Sequence, residues 1–190
     1  MTQTKPRLAS RPQPTRISTN PGLKTVKMFR QGKRKLALPF RWQEKKLWCG
    51  PACLQMVVGS YGLRIPQSKL AKLARTNNRF GTSRFRMAVT ARRLGMATLE
   101  KHNSRLEDIR RALANKQRVI VNFREPSDNE QHYAGVESIN KSQIILRDPW
   151  NGPRLKLAIK DFYRRWTIQT LNGGKPRWLL SIYPTKKYER

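Results

Sequence analysis

Acidic residues are scarce in this 190-residue chain, where 11 Asp plus Glu stand against 41 Lys plus Arg and leave a formal charge of +30. A chain so charged repels itself unless anions neutralise it, so nucleic acid, an anionic membrane surface or an acidic protein is the expected partner. Cysteine is nearly absent as well. Two residues four positions apart, Cys49 and Cys53, exclude a disulfide framework. No run of 18 apolar residues and no signal-peptide core is found, which excludes a spanning helix and points to a reducing, cytoplasmic setting. Apolar residues make up only 37% of the chain, below the usual ~45–50%, and they cluster after position 36. The length suits one domain.

The chain divides at that point. Residues 1–43 hold eleven Lys or Arg and no acid, and four of the twelve prolines fall before residue 22. Residues 1–36 therefore read as a basic, flexible N-terminal arm, and residues 37–190 as the folded domain. Lys33, Arg34 and Lys35 form the densest cluster of the arm, and further basic pairs recur at Arg92 and Arg93, and at Arg110 and Arg111. These are candidate contacts to the phosphates of a polyanion.

Within the domain, helices come first. Cys49 to Tyr61 is expected as a helix, with Pro51 near its start and Gly62 closing it. A second helix is expected over about 66–75, with Leu70, Leu73 and Ala74 inward. A third runs over 83–94 with Phe85, Ala88, Val89 and Leu94 inward. Ser104 and Glu107 have the spacing of a capping box for a fourth, ending near Asn115. Strands follow at 119–123, 132–139, 143–147 and 178–183, interrupted by a short helix around 159–166. Helices followed by an antiparallel sheet predict an α+β fold with a cleft between the two layers.

Cys49 sits at the start of the first helix, where unpaired backbone N–H groups and the helix dipole favour a thiolate. Cys53, one turn on, is expected in the core. Gln43 lies six residues before Cys49, close enough for its amide to join the Cys49 N–H in an oxyanion hole. His132 opens a strand after the polar loop 125–131, while the other histidine, His102, lies in a polar run and reads as surface. Asp148 ends the following strand in an Asp-Pro-Trp sequence. Ala134 and Val136 share parity with His132, and Ile144 and Leu146 share parity with Asp148. If an odd-length loop around Asn140 joins the strands, His132 and Asp148 become cross-strand neighbours, and Cys49, His132 and Asp148 compose a nucleophile–base–acid triad.

The run from Gln43 to Gly62, QEKKLWCGPACLQMVVGSYG, resembles the active-site signature of the bacteriocin-processing peptidases, which cut double-glycine leaders. The segments GTSRFRMAVTARRLG at 81–95, RVIVNF at 118–123, HYAGV at 132–136 and RDPWNG at 147–152 recur in the same order. The resemblance implies a papain-like fold, a cysteine endopeptidase that needs no metal or cofactor, and catalytic roles for Gln43, Cys49, His132 and Asp148. A peptide or protein is then the substrate. The sequence departs from the family at Trp48, where Asp is usual, and no transmembrane or ATP-binding segment follows, as expected of a stand-alone member. The competing reading is a basic component of a nucleoprotein particle or virion that keeps a peptidase-like fold.

Overall fold

A computed structural model describes residues 38–167 and 176–185. The expected arm, with Lys33, Arg34 and Lys35, lies outside the described residues. The described chain forms five helices, α1 (Cys49–Ser60), α2 (Gln67–Leu73), α3 (Arg84–Arg93), α4 (Leu106–Ala114) and α5 (Ile159–Thr167). Six strands accompany them: β1 (Met96–Lys101), β2 (Arg118–Arg124), β3 (Gln131–Ile139), β4 (Gln143–Asp148), β5 (Gly152–Ala158) and β6 (Leu179–Pro184). The strands make one antiparallel sheet in the order β1-β6-β2-β3-β4-β5. This is the expected α+β architecture.

Two apolar layers hold it together. On one face α1, α2 and α3 supply Leu54, Met56, Val57, Leu70 and Met87, which pack with Ile120, Tyr133, Trp178 and Ile182 of the sheet region. On the other, Ile109 of α4 and Phe162 and Trp166 of α5 cover Val119, Val121, Phe123, Ala134, Val136, Ile144 and Leu146. Alternate residues of β2 and β3 serve opposite layers, as the two-residue period of a strand requires. Helix α1 is apolar nearly all round and correspondingly buried, with Ala52, Cys53, Leu54, Met56, Val57 and Val58 fully enclosed. It ends at Gly62 (φ +88°), and Leu63 N–H returns to the Val58 carbonyl at 3.0 Å.

The hairpin between β3 and β4 corrects one expectation. Ile139 pairs with Ile144 across residues 140–143, a connection of even length, and on that register Asp148 falls on the face opposite His132. An irregularity between Val136 and Ser138 restores the parity. Val136 pairs with Leu146 and Gly135 with Arg147, so Glu137 is the extra residue of a bulge. The bulge returns Ile144, Leu146 and Asp148 to the face of Ala134, Val136 and His132, while Glu137 pairs outside with Arg147 at 3.0 Å. The alignment of His132 with Asp148 thus depends on the bulge, and the loop does not supply it.

Three further readings are corrected. Strands β1 and β5 are additions to the expected set. Phe85 is exposed, because Met87, Ala88 and Ala91 set the inward face of α3. The cap of α4 lies one residue later than expected: Asp108 Oδ2 accepts from Arg105 N at 2.7 Å, and Ser104 is buried with its hydroxyl on the Lys101 carbonyl.

Candidate active site

The site forms at the end of the sheet, where β3 begins, β4 ends and α1 starts. The segment before α1 is folded tightly back. Gln43 N–H bonds the Pro149 carbonyl at 3.1 Å, Trp48 N–H bonds the Lys45 carbonyl at 3.1 Å, and Leu47 adopts φ +66°. A left-handed non-glycine residue costs on the order of 1–3 kcal/mol and persists where its surroundings dictate it. Trp48 occupies the N-cap position without a side-chain cap bond, and Lys45 Nζ lies 5.0 Å from its ring centre. Gly50 belongs to the same construction: a Cβ there would stand 2.8 Å from Thr82 Oγ1, so only glycine lets the first turn seat against Thr82.

Cys49, half-buried, is the first residue of α1 and shares a cleft with Gln43, Leu47, Glu125, Gln131, His132 and Trp150. Its cavity of about 50 Å³ has room for only a few water molecules. His132 is 7% exposed and Asp148 wholly buried, and His132 Nε2 stands 2.8 Å from Asp148 Oδ1. The same carboxylate oxygen accepts Trp150 N–H at 2.8 Å and Asn151 N–H at 2.9 Å, so the turn after β4 fixes the acid in place. With Nε2 on Asp148, Nδ1 is the ring nitrogen left for Cys49.

Burial alone depresses an imidazole pKa, yet that of His132 is raised to about 10. The negative charge of Cys49, the hydrogen bond to Asp148 and a hydrogen bond to Cys49 together outweigh desolvation. The arrangement therefore favours the protonated form of the His132 ring. Behind it, Asn122 Nδ2 donates to the His132 carbonyl at 3.1 Å, and Arg84 donates to Asn122 Oδ1 at 2.8 Å, bracing the strand that carries the ring. Cys53 differs in every respect. It is fully buried, its thiol rests on the Tyr133 carbonyl at 3.2 Å, and burial first, then the charge of Cys49, pushes its pKa well up.

Gln43 lines the cleft, with Nε2 donating to the Lys45 carbonyl at 3.1 Å. An amide nitrogen carries two hydrogens, so this bond orients the group and leaves a second donor. The basic candidates are scattered. Arg92 donates to Thr98 Oγ1 and Arg93 is exposed, both at the end of α3. Arg110 pairs with Glu107, while Arg111 is exposed; both line a separate cavity of about 820 Å³ with Lys101, His102, Arg105 and Tyr163. Sequence reasoning passed over Glu125, Asp128 and Glu130 on the cleft wall. Their signal was three of the chain's eleven acids within six residues.

The profile of the Peptidase C39 family matches residues 38–173. The chain belongs to the Peptidase C39 family. It is accordingly a cysteine peptidase, a hydrolase with a papain-like fold. No curated protein sequence matches this chain. Among solved structures, the peptidase domain of Streptococcus ComA, a bi-functional ABC transporter involved in a quorum-sensing pathway, aligns with TM-score 0.62 and 23% identity, covering 78% of this chain and 99% of that one. A double glycine motif protease from an AMS/PCAT transporter, in complex with its leader peptide, aligns with TM-score 0.58 and 19% identity, covering 79% and 94%. A Bacillus anthracis protein described as C39-like aligns with TM-score 0.61 and 14% identity, covering 78% and 95%. These likenesses establish the fold of this C39 member. Among the described residues, no helix is long and apolar enough to cross a membrane.

Proposed function

We propose that this C39 peptidase hydrolyses a peptide bond through a thioester, with Cys49 as nucleophile, His132 as base, Asp148 as its orienting acid and Gln43 in the oxyanion hole. The observation that carries the reading is the 2.8 Å bond between His132 Nε2 and Asp148 Oδ1, which leaves Nδ1 for the cysteine of the same cleft. The Cys49 thiol proton passes to Nδ1 and the sulfur attacks the scissile carbonyl carbon. The oxyanion takes the Cys49 N–H and the free hydrogen of the Gln43 amide. As the C–N bond breaks, the imidazolium gives its proton to the leaving amine, and a thioester remains on Cys49. Water, deprotonated by the same ring, then releases the acid and restores the thiol.

A cavity of about 50 Å³ favours backbone and small side chains at the reacting bond. A relative of the same fold is a double glycine motif protease crystallised with a leader peptide. The substrate proposed here is therefore a peptide or protein with glycine or another small residue before the cut. Turnover of a Gly-Gly-containing peptide, abolished by Cys49→Ala, tests this; equal turnover by the Cys49→Ala variant dismisses it.

The charge of +30 favours a second property beside catalysis, attachment to a polyanion such as nucleic acid. Arg105, Arg110, Arg111 and Lys101 around one large cavity support it, although Glu107 and Asp108 neutralise part of that charge. Such attachment holds the enzyme near its substrate without any role in bond cleavage.

A further inference from the structure

The cleft inverts the charge of the molecule. In a chain with 41 bases to 11 acids, its wall carries Glu125, Asp128 and Glu130 against Lys46 and His132. The loop from β2 to β3 builds this wall. Glu125 is 2% exposed and acts as its pin, accepting from Ser127 N–H at 2.8 Å, Ser127 Oγ at 2.6 Å, Asp128 N–H at 2.5 Å and Asn151 Nδ2 at 2.9 Å. Glu125 N–H to the Glu130 carbonyl at 3.1 Å closes the loop, and Asn129 turns it at φ +61°. The loop is thus set before any peptide arrives.

With Glu125 committed inward, Asp128 and Glu130 are exposed, and neither carboxylate forms an ion pair among the described residues. Two arginines brace the backbone of the loop: Arg124 donates to the Asn129 carbonyl at 2.7 Å, and Arg165 donates to the Glu125 carbonyl and the Asp161 carboxylate. The Asp128 carboxyl is pushed up, chiefly by its side-chain hydrogen bond with Glu125, which ties it to the wall of the cleft. Among the described residues, no lysine or arginine forms an ion pair with Asp128 or Glu130 at the mouth of the cysteine cleft.

We propose that the peptide segment entering this cleft carries a lysine or arginine in a position flanking the small residues of the scissile bond, and that Asp128 and Glu130 at the mouth select it. The inference rests on the reading of Cys49 and His132 as the catalytic pair and adds the charge of their substrate. The enzyme then has two faces of opposite preference, a basic exterior for anions and an acidic mouth for a basic peptide. Each exposed carboxylate–cation pair contributes a factor of about two to five.

The test uses the full chain and Gly-Gly-containing peptides identical except for Lys, Gln or Glu at one position flanking the Gly-Gly pair. Specificity kcat/KM is measured on the wild type, and binding of the same peptides to the Cys49→Ala variant by fluorescence anisotropy. The expected order is Lys over Gln over Glu in both, with about fivefold between Lys and Gln. The Asp128→Asn, Glu130→Gln double variant brings that ratio toward one, and its loop keeps its shape because the substituted side chain at position 128 still offers an oxygen to the backbone N–H of residue 130. Turnover with a flat or reversed order, or a ratio that survives in the double variant, overturns the inference and leaves the peptidase reading standing. No turnover of any peptide, with the binding order intact, overturns the catalytic reading and supports the inference.

Discussion

His132 is protonated far more readily in the fold than in the unfolded chain, with a pKa near 10 against an ordinary 6.5. The sign follows by linkage: the contribution to stability is complete below about pH 6.5 and is lost as pH rises through about 10. Chemical denaturation midpoints are predicted to fall across that window. In Cys49→Ala the decline is shallower, because the charge of Cys49 is the largest influence raising the imidazole pKa; an identical decline in the variant contradicts the pairing. Asp148→Asn is predicted to lower kcat by about a hundredfold or more while the fold survives, since it disturbs the tautomer of the ring. Parallel activity and thermal-melt measurements separate the two effects. At this scale the sequence was most legible where one residue type has few uses. Two cysteines and two histidines left little choice, and the helix start at Cys49 and the strand at His132 decided between them. Glu125, Asp128 and Glu130 were hidden because acids in a loop ordinarily signify solvation, and only their placement on the cleft wall gives them another meaning.

Between elements, the decisive feature is the bulge at Glu137, which aligns Asp148 of β4 with His132 of β3. Deletion of Glu137 removes the parity correction. Its predicted outcome is loss of peptidase activity through transfer of Asp148 to the other face, read by activity beside circular dichroism; full activity in a folded deletion variant contradicts it. The start of α1 is equally constrained. Gly50→Ala brings a Cβ within 2.9 Å of both Thr82 Oγ1 and Cβ, and is predicted to cost about 1–3 kcal/mol in denaturant titration and to slow catalysis by shifting the first turn. Sequence patterns revealed α1, β2, β3 and β4 because these bury strong apolar runs. They missed β1 and β5, and both are edge strands of the sheet. Each buries little and carries Glu100 and Lys101, or Pro153, Arg154 and Lys156, the polar residues that keep an edge from pairing with another chain. The bulge was equally invisible, since neither Glu137 nor Ser138 signals an extra residue without its partner strand.

For the whole molecule, net charge governs association more than folding. Nucleic-acid affinity of the full chain is predicted to fall steeply with salt, and removal of residues 1–35, which leaves Arg41 alone of the eleven cations in 1–43, is predicted to reduce the slope. Undetectable binding at low salt contradicts the polyanion reading. The α+β class was legible because helical and strand patterns segregate along the chain, and the folding of the cleft was legible only through the resemblance, since no local pattern states that α1 meets the end of β3 and β4. The proposed chemistry turns on one thiol. Treatment of the native protein with a peptide vinyl sulfone, followed by peptide mapping in a mass spectrometer, reads which cysteine reacts. The adduct is predicted on Cys49, with Cys53 unmodified until the chain is denatured and with labelling slowed in His132→Ala; modification of Cys53 in the native protein at an equal or faster rate contradicts the assignment of Cys49 as the nucleophile.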